Sequence, residues 1–230
     1  MNRYALLDWD YTLRDGYTLT AWIEYLCAHH VVSDSLPASI ASLQARYDAG
    51  KISHDEYAMA ACLEYAAALR GINEDCPSAL LPGFCREQAG LIYPFTELLF
   101  QLLHLENIDA IVVSGAPYLI LKQYQEVFHI RKILAFEPEI RNGQYTGAAN
   151  ANYGFHKENA VQLATELYGT APFLALGDSS SDIPLLLTAQ HAVCIGQKSF
   201  LPDGKEAVCL SPASAPENII AEISSLIHSV

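Results

Sequence analysis

Hydrophobic and polar positions divide the chain into stretches of different pattern. At the start, Tyr4-Ala5-Leu6-Leu7 is a continuous apolar run, too short for a helix and suited to a parallel strand covered on both faces. From Gly16 to Cys85 apolar residues recur at helical spacing instead. Residues 21–27 form one predicted helix and residues 36–47 a second, with Pro37 in its first turn and Ala49-Gly50 at its end. Ser53 opens a third; Glu56 completes a capping box and Gly71 lies beyond its last turn. No strand pattern occurs in this stretch. After Gly90 the two patterns alternate: Pro94–Leu105 is an amphipathic helix, Ala110-Ile111-Val112-Val113 a β-branched strand, and residues 118–128 a helix. Residues 134–147 carry Asn142-Gly143 between strand-like flanks, a hairpin signal. Lys157–Tyr168 reads as a helix closed by Gly169. Residues 173–176 are a strand, 183–187 a short helix, 192–195 a strand, 207–210 an edge strand, and 216–227 the last helix.

Alternating strands and helices predict a parallel sheet. The first strand joins that sheet most simply if the helical stretch is an insertion. The expected fold is therefore α/β: a Rossmann-like parallel-sheet core made of residues 1–14 and 86–230, with an all-helical cap, residues 15–85, lying over the carboxyl ends of the strands. A length of 230 residues, half of them hydrophobic, suffices for such a core and insertion. The formal net charge of −13 argues against nucleic acid and anionic membrane as partners, because phosphate backbones are held by clustered Lys and Arg. No apolar run reaches the length of a membrane span, and Met1-Asn2-Arg3 begins no signal peptide, so a soluble, cytoplasmic protein is expected. Cys27, Cys62, Cys76, Cys85, Cys194 and Cys209 lie far apart without a Cys-x-x-Cys pair and read as small buried apolar residues. Oligomeric state is not encoded in any of these patterns.

Chemistry enters at the strand ends. Asp8 and Asp10 follow the first apolar run two positions apart, so they leave an extended chain on the same side, at the edge where open α/β sheets bind ligands. Asp-x-Asp alone carries little, since average composition produces it about once in a chain of this length. Three further groups sit at comparable places: Ser114-Gly115 ends the Ile111-Val112-Val113 strand, Lys157 opens a helix, and Gly177-Asp178-Ser179-Ser180-Ser181-Asp182 follows the Phe173-Leu174-Ala175-Leu176 strand. Each has a plain structural alternative: a strand-to-helix turn for Ser114-Gly115, a solvated lysine for Lys157, a helix cap and first-turn acid for Asp178 and Asp182. Taken together, several carboxylates at one sheet edge repel one another unless a cation lies among them, and an all-oxygen site that keeps waters suits Mg²⁺.

In this order the four groups resemble the four motifs of the haloacid dehalogenase-like (HAD) phosphohydrolases. The helical insertion after the first motif, with Asn142-Gly143-Gln144-Tyr145-Thr146-Gly147 ahead of Lys157, is similar to the small-cap phosphoserine phosphatase branch. The resemblance implies the HAD fold and a Mg²⁺-dependent phosphomonoesterase acting on a small phosphorylated metabolite. It implies Asp8 as nucleophile, forming an aspartyl-phosphate, and Asp10 as the acid and base that moves the proton. Ser114, Gly115 and Lys157 would hold the phosphoryl oxygens. Asp8, the carbonyl of Asp10 and Asp178 would hold Mg²⁺, with Asp182 and Thr12 acting behind them. A phosphotransferase using the same intermediate and a non-catalytic phosphate-binding module are the alternatives. An intact set of Asp8, Asp10, Lys157 and Asp178 favours catalysis.

Phosphoserine itself is disfavoured. The branch is expected to carry a glutamate after the first motif and an arginine in the cap; aligned by eye, those positions hold Tyr17 and Met59. In the last motif Ser181 stands where an asparagine is typical. Most cap aromatics are expected to pack between helices, while Tyr17 and Trp22 are expected to line a pocket for an apolar or cationic leaving group.

Overall fold

The computed structural model describes residues 3–196, 200–202, 204 and 206–229. In chain order, β1 (Arg3–Leu7) is followed by five helices: α1 (Thr18–Ala28), α2 (Ser35–Asp48), α3 (His54–Ala68), α4 (Asp75–Ser78) and α5 (Leu81–Gln88). Then come α6 (Pro94–Leu105), β2 (Ile108–Pro117), α7 (Tyr118–Leu121), β3 (Ile130–Arg141), β4 (Gln144–Ala151) and α8 (Lys157–Tyr168). The chain closes with β5 (Leu174–Gly177), α9 (Ile183–Thr188), β6 (His191–Ile195), β7 (Val208–Leu210) and α10 (Pro216–His228).

The strands form one sheet in the order β4-β3-β2-β1-β5-β6-β7. All pairings are parallel except the β3–β4 hairpin. Its turn residues Asn142 and Gly143 both take positive φ, 51° and 78°, as the Asn-Gly pair predicts. The apolar run of β1 lies at the centre because it is buried on both faces: Leu7 pairs with Val112 on one side and Leu176 on the other. Strand order reverses there, which opens a crevice at the carboxyl ends. One face of the sheet packs on α6 and α10 through residues such as Leu7, Phe95, Leu99 and Ile223. The other packs on α8 and α9 through Leu6, Ile111, Ala160 and Leu185.

Helices α1 to α5 have a core of their own, built from Trp22, Ile23, Leu26, Ile40, Tyr65 and Phe84, which continues onto Phe136 and Tyr145 of the hairpin. Backbone pairing reinforces this junction: Gly71 donates to the Tyr145 carbonyl, Tyr145 to that of Ile72, and Glu74 to that of Gly143. Ser53 caps α3 as its capping box predicts, with the Ser53 amide bonded to Glu56 at 2.7 Å and the Glu56 amide to the Ser53 hydroxyl at 3.2 Å.

Two expectations need correcting. Residues 118–128 do not form one helix: α7 ends at Leu121 and a 3₁₀ turn, Lys122–Tyr124, follows. Ile120 serves the helical core while Leu121 and Phe128 serve the sheet core, and one amphipathic stripe cannot point both ways. Nor are all cysteines buried. Cys62 and Cys194 are, but Cys76 and Cys209 are exposed, and none of the six forms a disulfide. No helix among the described residues is long and apolar enough to cross a membrane.

Candidate active site

The register of the sheet brings Asp8, Ser114 and Asp178 to one edge. Leu7, Val112 and Leu176 are level across three strands, and the Asp8 amide still bonds the Leu176 carbonyl at 3.1 Å. Lys157, the first residue of α8, reaches into this edge. It is 3% exposed, so it is no solvated helix-start lysine. Its Nζ lies 2.6 Å from Asp8 Oδ1 and also bonds Asp182 Oδ1.

Asp182 is fully occupied: its second oxygen accepts from the amides of Asp178 and Ser179 at 3.0 and 3.1 Å. It therefore braces the loop and the lysine. Gly177 is required at this point, since a Cβ there would come within 2.4 Å of the Asp182 Cβ. Thr12 donates to Asp8 Oδ2 at 2.8 Å and lies 3.3 Å from Asp178 Oδ1. One hydroxyl hydrogen cannot satisfy both carboxylates at once.

Oxygens of Asp8, Asp178 and Asp182 all fall within 4.8 Å of one another. Three carboxylates against the single Lys157 ammonium leave two negative charges uncompensated, which one divalent cation would balance. The same crowding acts on the carboxyl pKa values. Burial, then the charge of Asp182, pushes Asp8 well above the usual carboxylate range. The same causes, in the same order, push Asp178 up to about 7. Burial works against charge on Lys157, but Asp182 and Asp8 outweigh it and keep the amine protonated. The hard oxygen donors of Asp8 and Asp178 fit Mg²⁺.

Asp10 has a separate environment. Its Oδ1 accepts from the Thr18 amide at 3.0 Å and from the Thr18 hydroxyl. Thr18 opens α1, and the N-cap residue before it, Tyr17, supplies no side-chain cap, so Asp10 satisfies that helix end from a distance. Arg14, 3% exposed, donates to Thr18 Oγ1 at 2.8 Å and to Gln88 at 2.9 Å, and lies 3.6 Å from Asp10 Oδ1. Burial raises Asp10 to about 6, against the opposing pull of Thr18 and Arg14.

Ser114 is buried, and its Oγ accepts from the Ala116 amide at 3.0 Å. Gly115 packs against Gly154; a Cβ on Gly154 would come within 2.3 Å of the Gly115 Cα. Asp8, Asp10, Ser114, Gly115, Lys157 and Asp178 together line a small cavity of about 80 Å³.

Thr18, Arg14 and Gln88 were not apparent in the sequence, because their link to Asp10 crosses a loop and a helix start. Nothing in the sequence pattern marks Tyr11 either. It occupies the left-handed region at φ 59°, costly for an aromatic residue and characteristic of functional sites. Tyr17 lines the site, as its alignment suggests, whereas Met59 is 41% exposed and lines neither this cavity nor the larger one beside it. Trp22 does not line a pocket: it is buried between helices, with its indole N–H on Tyr65.

No curated protein sequence matches the chain. Among solved structures, a protein of unknown function from Bordetella pertussis Tohama I has a TM-score of 0.70 at 18% identity, covering 98% of this chain and 96% of that one. A phospho-aspartyl intermediate analogue of phosphoserine phosphatase has a TM-score of 0.67 at 14% identity, covering 96% and 98%. A HAD family hydrolase from Salmonella enterica serovar Typhi reaches 0.72 at 14% identity, covering 99% and 73%. These likenesses establish the fold. In sequence, the profile of the haloacid dehalogenase-like hydrolases matches residues 5–187, a span running from β1 and its two aspartates through Ser114 and Lys157 to Asp182, so the chain belongs to the haloacid dehalogenase-like hydrolase family.

Proposed function

We propose that the protein is a Mg²⁺-dependent phosphomonoesterase working through a phosphoryl group on Asp8. The observation that carries this reading is the division between two buried carboxylates two residues apart. Asp8 is held by Lys157 and Thr12 beside Asp178, while Asp10 is held by Thr18 and Arg14 and sits at about 6. Burial raises both carboxyls, so it is their partners that separate the tasks: an ammonium and a second carboxylate suited to a shared cation beside Asp8, a helix start and a guanidinium beside Asp10.

Mg²⁺ held by Asp8, Asp178 and the Asp10 carbonyl would neutralise phosphate charge and orient it for in-line attack. An oxygen of Asp8 forms a bond to phosphorus as the ester P–O bond breaks, and Asp10 gives its proton to the departing oxygen. Water then attacks the phosphorus, its proton returning to Asp10, and phosphate leaves Asp8 as a free carboxylate. Lys157, the Ser114 hydroxyl and the Gly115 amide hold the phosphoryl oxygens throughout. With residues 15–85 as a cap over a core of 1–14 and 86–230, Tyr17, His54 and Ala58 of the cap would close the phosphate-sized cavity and the cap would also meet the leaving group.

The test is phosphate release from a panel of phosphomonoesters with and without Mg²⁺. Turnover that needs the metal and disappears in Asp8→Asn supports the reading. Asp10→Asn should slow alkyl esters more than aryl esters, whose leaving groups need less protonation. Equal loss on both overturns the role of Asp10.

A further inference from the structure

Resting on that catalytic reading, we propose that the substrate carries an aromatic, non-anionic leaving group, seated in a cavity of about 670 Å³ between α1, α2, α3 and the sheet edge. This volume lies within the range of sites that enclose ligands larger than a serine side chain. It adjoins the phosphate-sized pocket of about 80 Å³, and Tyr11, Tyr17, His54, Asp178 and Ser179 line both. A phosphate held by Lys157 would therefore direct its ester oxygen towards the larger space.

Aromatic residues line the route outward. Tyr17 and Tyr57 have centroids 6.2 Å apart, Tyr57 and Tyr47 stack at 5.8 Å, and His54 meets Tyr47 edge-on at 5.7 Å. Tyr47 and Tyr11 remain 37% and 47% exposed, unlike Trp22 and Tyr65, which fill the helical core. An aromatic guest would give the exposed parts of the Tyr11 and Tyr47 rings an offset or edge-on partner, a contact beyond simple area burial. Charge narrows the class further. The acidic groups lining the cavity are Glu24 and Asp178, and no lysine or arginine among the described residues lines it. A leaving group with a carboxylate or second phosphate would find no lysine or arginine along this lining to receive it.

The test uses non-hydrolysable phosphonates, so that binding is read without chemistry. Calorimetric titration of the full chain in Mg²⁺ compares benzylphosphonate, ethylphosphonate, 2-aminoethylphosphonate and 3-phosphonopropionate. Benzylphosphonate is expected to bind at least about tenfold more tightly than each of the others, and its advantage over ethylphosphonate should shrink to about threefold or less in Tyr47→Ala. Equal or tighter binding of 3-phosphonopropionate overturns the proposal, as does preference for the aminoethyl compound, an advantage unchanged in Tyr47→Ala, or no binding by any of the four. Benzyl phosphate turnover is measured separately. A benzyl preference with no turnover of benzyl phosphate or of any ester in the panel would overturn the hydrolytic reading and leave only the aromatic binding preference standing.

Discussion

Asp10→Asn should make the metal-free protein more stable while it impairs turnover. Asp10 is 8% exposed, and burial raises its carboxyl from 3.8 to about 6 even with Thr18 and Arg14 favouring the charged form. A carboxyl whose folded pKa stands above its unfolded one contributes most where it is protonated in both states. That contribution is lost as pH rises from the unfolded value through the folded one. A displacement of about two pKa units corresponds to a cost of about 3 kcal/mol at pH 7.5 and about 2 kcal/mol at pH 5.5. Asparagine keeps an oxygen for both Thr18 donors and the side-chain volume, and it removes the charge. Arg14 loses its partner in the variant, but it does so equally when Asp10 is protonated, so that loss is already contained in the shift. Urea unfolding in EDTA at the two pH values measures the effect. The variant should be more stable by a few kcal/mol at pH 7.5 and by about 1 kcal/mol less at pH 5.5. A variant less stable than the parent at pH 7.5, or one whose advantage grows as pH falls, would refute the reasoning.

Lys157→Met leaves Asp8 and Asp182 buried without their shared cation; it should cost about 3–5 kcal/mol in urea unfolding at pH 7.5, and a loss below about 1 kcal/mol would contradict the charge balance drawn here. Gly154→Ala forces a Cβ into the Gly115 backbone, whereas a Cβ on Gly115 meets Gly154 at an ordinary 3.7 Å. Gly154→Ala should therefore reduce kcat/KM on the order of 10²-fold with an unchanged circular dichroism spectrum, and Gly115→Ala should stay close to the parent; the reverse order would refute the assignment of this contact. Added Mg²⁺ should raise the melting temperature more at pH 7.5 than at pH 5.5, because Asp8 and Asp178 are pushed up by burial and by Asp182 and must lose protons to bind it; an equal rise at both would place the cation elsewhere.

What the sequence made legible was local in origin. The unbroken apolar run of β1 marks a central strand because only a strand covered on both faces needs one. Ser53 and Glu56 satisfy each other within a single turn, and Asn142-Gly143 meets a backbone requirement of its own turn. The four motif groups could be read because parallel strands in register carry their end residues to one edge. Features decided by distant packing stayed hidden. Thr18 reaches Asp10 through the start of α1, and Tyr47 lines a cavity while Trp22 and Tyr65 pack in a core. Periodicity assigns a residue to a buried face; it does not say whether that face meets side chains or an open cavity.

The central claim is that Asp8 carries the phosphoryl group. Its most direct test is to quench the protein in acid during turnover of a phosphomonoester with Mg²⁺ and map the adduct by mass spectrometry of its peptides. The account predicts a phosphoryl group on Asp8 that is absent without Mg²⁺ and absent in Asp8→Asn. Continued turnover by Asp8→Asn, or an adduct on any other residue, would contradict it.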